Sequence, residues 1–336
     1  MAASSSAARS ATCGSMVPMC DSMTRLSWCL ILLLRDSCFY PNNREQSIDT
    51  AGEAKFQMPE LPEVETIVRT LRPSLLGRRI DALRIIRQDI IRPKNIDLNS
   101  KLTGRAILAI GRRGKKIIFN LDDDARFYVH LGMSGRLTLD RPQAVIPPHT
   151  HLILHIAGGE LRFTDPRRFG GVFWLGTHAS PDTDLGPEPL ELRASQLAAR
   201  LTRTRRAIKT ALLDQKILAG LGNIYADESL FAAGIHPQIP ASKLSSTQIA
   251  RLNRSIKTVL NRAIHHRGST LRDYRDPNGQ PGDFQKIHRV YDRAGKPCVV
   301  CGAPIFRIVL GGRSTHFCPK CQNKKRRRQG ASVKPN

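Results

Sequence analysis

With 336 residues, 40% of them apolar, the chain can bury a core in two domains, yet no apolar run reaches the roughly 18 residues of a membrane span. Its formal net charge of +25 exceeds what solubility requires and indicates a polyanionic partner, nucleic acid first, since each phosphate neutralised releases condensed counterions. No long basic amphipathic helix supports an acidic membrane surface instead.

Residues 1–57 read as foreign to the rest. Five basic residues (Arg9, Arg25, Arg35, Arg44, Lys55) and five acidic ones (Asp21, Asp36, Glu45, Asp49, Glu53) cancel there, so the whole excess lies in 58–336. The segment holds four of the six methionines and no sustained period. It is expected to be a disordered leader or untranslated sequence before the true start; a secretory signal fits less well, because the stretch before its short apolar run is long and poorly basic.

From Met58 the register changes. Pro62 stands at a helix start, Glu63 and Glu65 fall in the first turn, and Val64, Ile67, Val68 and Leu71 recur at helical spacing. Short apolar strands are expected at 116–121, 126–131, 152–156, 161–164 and 172–175, with a tight turn at Ala157-Gly158-Gly159. Without intervening helices these make an antiparallel sandwich rather than a βαβ fold. A Pro/Gly/acid-rich linker is expected at 182–189, then helices over 207–218, 224–233 and 247–265. The chain ends in a basic tail, Lys324-Lys325-Arg326-Arg327-Arg328.

Cysteine usage is divided. Cys13, Cys20, Cys29 and Cys38 are irregular, whereas Cys298, Cys301, Cys318 and Cys321 form two C-x2-C knuckles separated by 16 residues. Four thiolates so spaced can close a tetrahedral, structural Zn²⁺ site; two disulfides are the alternative. Segments 305–310 and 314–317 are expected to pair as a hairpin across Gly311-Gly312, with Arg313 at its tip. Arg313 reads as a phosphate fork or as a solvated turn residue.

Met58-Pro59-Glu60-Leu61-Pro62-Glu63 carries a second chemistry. If Met58 is removed, Pro59 becomes a terminal secondary amine, a far better nucleophile at neutral pH than lysine because an α-amine has the lower pKa. Condensed with a sugar C1′, it yields an iminium directly, and Glu60 beside it can shuttle protons. On the residues alone, a simple lead-in to the helix is the favoured alternative.

That block, extended through Val64-Glu65-Thr66, resembles the amino terminus of bacterial-type formamidopyrimidine-DNA glycosylases. So do, in order, Gly111-Arg112-Arg113-Gly114-Lys115, His130-Leu131-Gly132-Met133-Ser134-Gly135, Thr164-Asp165-Pro166-Arg167-Arg168-Phe169-Gly170, Gly220-Leu221-Gly222-Asn223-Ile224-Tyr225 and the cysteine module. The resemblance covers 58 to about 322.

It implies an α+β protein: a catalytic β-sandwich domain with an N-terminal helix (58–189), a helix–two-turn–helix DNA-binding domain (190–280) and a zinc-finger hairpin (281–325); the basic tail (326–336) lies outside the resemblance. Pro59 then corresponds to the Schiff-base nucleophile, Glu60 to its activating acid, Lys115 to a proton-transfer lysine in β-elimination, and Arg313 to the phosphate-gripping finger arginine. His149, Arg167, Arg205 and Asn223 correspond to DNA contacts; Met133, Arg167 and Phe169 would fill the space a flipped nucleotide vacates. For Met133, taken alone, a core methionine is the default, but its glycine-flanked setting favours an exposed tip.

The implied activity is excision of 8-oxoguanine and formamidopyrimidines from double-stranded DNA, with β,δ-elimination, by a cytoplasmic, nucleoid-associated monomer. One structural zinc, no redox or nucleotide cofactor and no membrane are expected. A pyrimidine-specific endonuclease VIII-like glycosylase, or a non-catalytic DNA-binding zinc protein should Pro59 never be terminal, are the rivals. Two positions depart from the family: Asp283, where many relatives carry an aromatic residue, and Asp292, where many have glycine.

Overall fold

A computed structural model describes residues 58–181 and 184–323. The expected leader, the basic tail and the last two residues of the expected finger segment lie outside the described residues.

Helix α1 (Leu61–Leu75) starts on Glu60, whose backbone N–H donates to the Glu63 carboxylate at 2.9 Å. Strands β1 (Ile80–Ile85) and β2 (Ile91–Arg92), the short helix α2 (Leu98–Leu102) and seven further strands follow. These are β3 (Ile107–Arg113), β4 (Lys116–Leu121), β5 (Arg126–His130), β6 (Arg136–Asp140), β7 (Thr150–Ile156), β8 (Gly159–Thr164) and β9 (Gly171–Gly176). They form two sheets, ordered β1-β7-β8-β6 and β2-β9-β5-β4-β3, antiparallel except where β2 meets β9. Apolar side chains from both sheets, among them Phe119, Phe127, Leu154 and Phe163, share one core with Val64, Ile67, Val68 and Leu71 of α1.

All five strands expected from sequence are interior to their sheets, and the four not anticipated (β1, β2, β3, β6) are the edges. An interior strand carries an unbroken apolar run; an edge strand is half solvated and interrupted by charge. In β1, for example, only Ile80 is buried.

The second region comprises α3 (Ala194–Leu201), α4 (Ile208–Leu212), α5 (Asn223–Ala232) and α6 (Ser246–His265). The helix expected over 207–218 stops at Leu212, and α3 was not anticipated. Asp214 halts α4: its carboxylate accepts the Lys216 N–H at 2.9 Å, an Asx turn that competes with the helix. The backbone of 216–217 then packs so closely on Gly186 that a Cβ there would lie 2.6 Å from the Lys216 carbonyl.

Leu61 inserts into the helical core beside Leu221 and Tyr225, while the next turns of α1 stay in the sandwich core. The first residues after Pro59 are thereby locked between the two regions.

The described end of the expected linker is docked on the sandwich through Glu188. Glu188 accepts the Gly114 N–H at 2.7 Å and pairs with Arg112 (2.7 Å) and Arg113 (3.0 Å) of the β3–β4 hairpin. Strands β10 (Phe306–Leu310) and β11 (Arg313–Phe317) form the expected hairpin, with Leu310 opposite Arg313. Asp292 lies at φ +57°, the left-handed region that glycine enters freely.

Candidate active site

The site assembles around Glu60. Its buried carboxylate accepts the Ile224 N–H at 3.0 Å and faces that of Tyr225 at 3.5 Å, so it caps α5 from 164 residues away in sequence. Helix N-termini favour anions. Burial pushes the Glu60 pKa up, opposed by the charge of Lys115 and by the N–H groups of Ile224, Tyr225 and Gly222. A carboxyl beside a reacting amine is placed to hold or release a proton. Leu61 N–H donates to the Gly220 carbonyl at 3.0 Å, which ties the loop before α5 to the chain after Pro59.

Behind Glu60 lies Glu63, fully buried. It accepts Tyr225 Oη at 2.5 Å and Ser269 N–H at 2.7 Å, and burial together with the Glu60 charge raises its pKa to about 7. Ser269 Oγ continues the chain to His288 Nε2 at 3.1 Å.

In front of Glu60 is a pocket of about 110 Å³, lined by Met58, Lys115, Met133, Asn223, Tyr291 and Arg313 among others. Lys115 sits in the two-residue β3–β4 turn, a hairpin that the Glu188 clamp holds in place. Burial lowers the Lys115 pKa; Arg313 adds to that and Glu60 opposes it. Its Nζ lies 4.0 Å from Met58 Sδ. Pro59 is buried between Met58 and Glu60, both of which line the pocket. The volume is below the roughly 300–1,000 Å³ of small-molecule sites, and Met58 is one of the side chains that line it.

Two glycine-rich turns meet backbone to backbone at one side. A Cβ on Gly132 would lie 2.5 Å from Gly170 N. Asp165, fully buried, accepts Ser134 Oγ at 2.5 Å, Arg167 N–H at 3.3 Å and Gly170 N–H at 2.7 Å. Its own N–H donates to the His149 carbonyl at 3.0 Å. The carboxylate thus joins the segments bearing Met133, Arg167 and Phe169, and the Asp165 backbone ties in the His149 loop. Phe169 is 55% exposed and lies 4.7 Å under the Arg167 guanidinium. Met133 is half-buried, neither core nor the exposed tip expected. His149 is exposed at φ +63°. Arg205 is exposed and does not line the pocket.

The finger is fastened to the same helix. Asp227 on α5 pairs with Lys209 at 2.7 Å, both fully buried, and accepts the His316 N–H at 2.8 Å; Lys209 Nζ donates to the Ser314 carbonyl at 2.6 Å. Asn223 Nδ2 reaches Ser314 Oγ at 3.3 Å. Neighbouring Glu228 accepts the N–H groups of Arg289, Val290 and Tyr291 at 2.9–3.0 Å. Arg313, one residue before Ser314, is therefore delivered to the pocket by the body of α5. The four finger sulfurs lie within 4.8 Å of one another, with pairs at 3.5 and 3.9 Å. Disulfide sulfurs would sit about 2 Å apart, whereas a tetrahedral zinc with 2.3 Å bonds separates them by about 3.8 Å. The cluster fits zinc and not disulfides.

Glu63, Tyr225, Lys209, Asp227 and Tyr291 were not singled out from sequence. The one signal was α5 itself, which carries Tyr225, Asp227, Glu228 and Ser229 yet is buried on nearly every side. Polar residues inside such a helix must each have a partner.

Three domain families match the chain in order. They are the formamidopyrimidine-DNA glycosylase N-terminal domain at 58–172, the formamidopyrimidine-DNA glycosylase H2TH domain at 185–275, and the zinc finger found in FPG and IleRS at 295–324. The formamidopyrimidine-DNA glycosylase of Symbiobacterium thermophilum is 46% identical over 273 residues, spanning 79% of this chain and 89% of the relative. That of Bacillus subtilis is 46% identical over 280 residues, spanning 80% and 100%. Among solved structures, a Lactococcus lactis FPG mutant in complex with a Fapy-dG containing DNA has a TM-score of 0.75 at 37% identity, covering 79% of this chain and all of that one. The MutM (FPG) protein from Thermus thermophilus has a TM-score of 0.71 at 42% identity, covering 79% and 98%. On this footing the chain belongs to the formamidopyrimidine-DNA glycosylase family.

Proposed function

We propose that the protein is a bifunctional DNA glycosylase and abasic-site lyase of base excision repair, acting as a monomer on oxidised purines in the nucleoid's double-stranded DNA. The observation that carries this reading is the Glu60 carboxylate, held on the N-terminus of α5 next to Pro59 and facing a pocket shared by Lys115 and Arg313.

Once Met58 is removed, the Pro59 nitrogen attacks C1′ of the flipped nucleotide. The C1′–N bond to the base breaks, the base takes the electron pair and a proton, and Glu60 manages the proton on the amine and the sugar oxygen. Loss of the ring-oxygen bond gives the iminium, an electron sink. Lys115, its basicity lowered by burial, removes a C2′ proton and the 3′-phosphate leaves with the C3′–O electrons. A second elimination expels the 5′-phosphate, with Arg313 matching its charge, and water releases the sugar remnant from Pro59. Met133, Arg167 and Phe169 occupy the vacated stack; His149, Arg205 and Asn223 grip the backbone. Zinc, held by Cys298, Cys301, Cys318 and Cys321, supplies shape rather than chemistry. Among the described residues no helix is long and apolar enough to cross a membrane.

The test is borohydride trapping on duplexes carrying 8-oxoguanine or an oxidised pyrimidine, using the chain beginning at Pro59 and the chain retaining residues 1–58. Trapping is expected only with the free Pro59, because the retained form has that nitrogen in a tertiary amide, and mainly on the purine lesion. Equal trapping by both forms would remove Pro59 as nucleophile, and preference for the pyrimidine would move the substrate class.

A further inference from the structure

Helix α5 presents its N-terminus to the catalytic pocket; its other end opens on a different feature. Ten residues at 1.5 Å each separate the two ends by about 14 Å. There, the end of α5, the start of α6 and both knuckles of the finger line a groove of about 1180 Å³. Lys243, Arg251 and Arg289 line it, and among the described residues none of its lining side chains is acidic. Arg289 is fixed: its backbone N–H bonds Glu228 at 3.0 Å, and its guanidinium lies 4.6 Å over the Phe231 ring. The Ser245 cap brings the positive end of the 20-residue α6 to the same wall. Ile239, Pro240 and Val300, the last 61% exposed, supply apolar contact surface. Asn323 also lines the groove, and the sequence continues from it into five consecutive Lys/Arg residues.

We propose that this groove docks an acidic peptide segment with apolar anchors, from a partner protein, while the catalytic pocket is engaged with DNA. Charge complementarity selects an anion, and the apolar wall selects one with side chains to bury. A single nucleic-acid strand is disfavoured, because such sites stack bases on open aromatic rings. Among the described residues the sole aromatic lining this groove, Phe231, is only 4% exposed beneath Arg289.

The experiment measures fluorescence anisotropy of a fluorescein-labelled peptide of alternating aspartate and leucine on the zinc-loaded chain. A control peptide carries glycine for each leucine, and competitors are an abasic duplex and an undamaged single-stranded oligonucleotide. The leucine peptide is expected to bind, to persist under saturating duplex, and to weaken about tenfold or more with Lys243→Glu plus Arg251→Glu. The glycine peptide should bind distinctly more weakly, and the double variant should excise damage at the normal rate. Equal binding by the double variant, equal binding of the two peptides or displacement by the duplex would overturn the proposal. So would competition by the single strand that the double variant abolishes, which would make the groove a nucleic-acid site.

Discussion

A Cβ placed on Gly222 would lie 2.2 Å from the Glu60 carboxylate carbon. The loop entering α5 must therefore carry glycine for Glu60 to reach the helix N-terminus. Gly222→Ala is expected to push the carboxylate off the Ile224 N–H and lower base excision about 100-fold, the scale of an ångström-sized misplacement. Single-turnover excision beside a melting curve checks this; an unimpaired rate would mean that Glu60 need not sit there.

Glu63 makes stability depend on pH. Its value rises from the ordinary 4.5 to about 7, so between those limits the folded chain holds a proton that the unfolded chain has released. The stabilisation is complete below 4.5, declines as pH rises, and is gone above 7. Glu63→Gln removes the titration, so wild type should lose stability relative to the variant across that window, by up to about 1.4 kcal/mol per pH unit. His288, lowered by burial to about 4, works in the opposite sense but is present in both proteins and drops out of the difference. Denaturant unfolding at stepped pH gives the answer, and parallel curves would refute it.

Asp165 is expected to act through the loops it joins. Asp165→Asn keeps the shape but turns an amide NH₂ toward groups that are themselves donors, Ser134 Oγ and the Arg167 and Gly170 N–H. Excision from duplex DNA should fall about tenfold or more, as an unpaired buried donor costs about 1–3 kcal/mol. Excision kinetics on matched duplexes measure it. Normal kinetics would show that the two turns hold their shape without the carboxylate.

Zinc removal should disable the finger and spare the sandwich. Cys298 and Cys318 pack with Phe231, Val290 and Ile305 in a cluster separate from the sandwich core. Metal analysis should give one zinc per chain, and chelation or Cys301→Ser should weaken DNA binding at least about tenfold while the sandwich keeps its β-sheet circular dichroism. Full DNA affinity without metal would contradict the finger's role.

What the sequence determined by itself was whatever is local or periodic. The interior strands β4, β5, β7, β8 and β9 announce themselves as apolar runs; α6 follows its period of 3.6, and the cysteine spacing fixes the donor set. Pro59 and Glu60 could be proposed because they are adjacent in the chain and stand in a block that resembles a known family; on the residues alone a helix lead-in was the simpler reading. Tertiary structure decided what depends on distant partners. Glu60 finds its N–H donors 164 and 165 residues away, Glu63 bonds Ser269 across 206, and Lys209 reaches Ser314 across 105. None of these pairings has a period or spacing to betray it. Each exists because a buried charge must be matched by dipoles or an opposite charge, and only the folded chain determines which groups are near enough to do so.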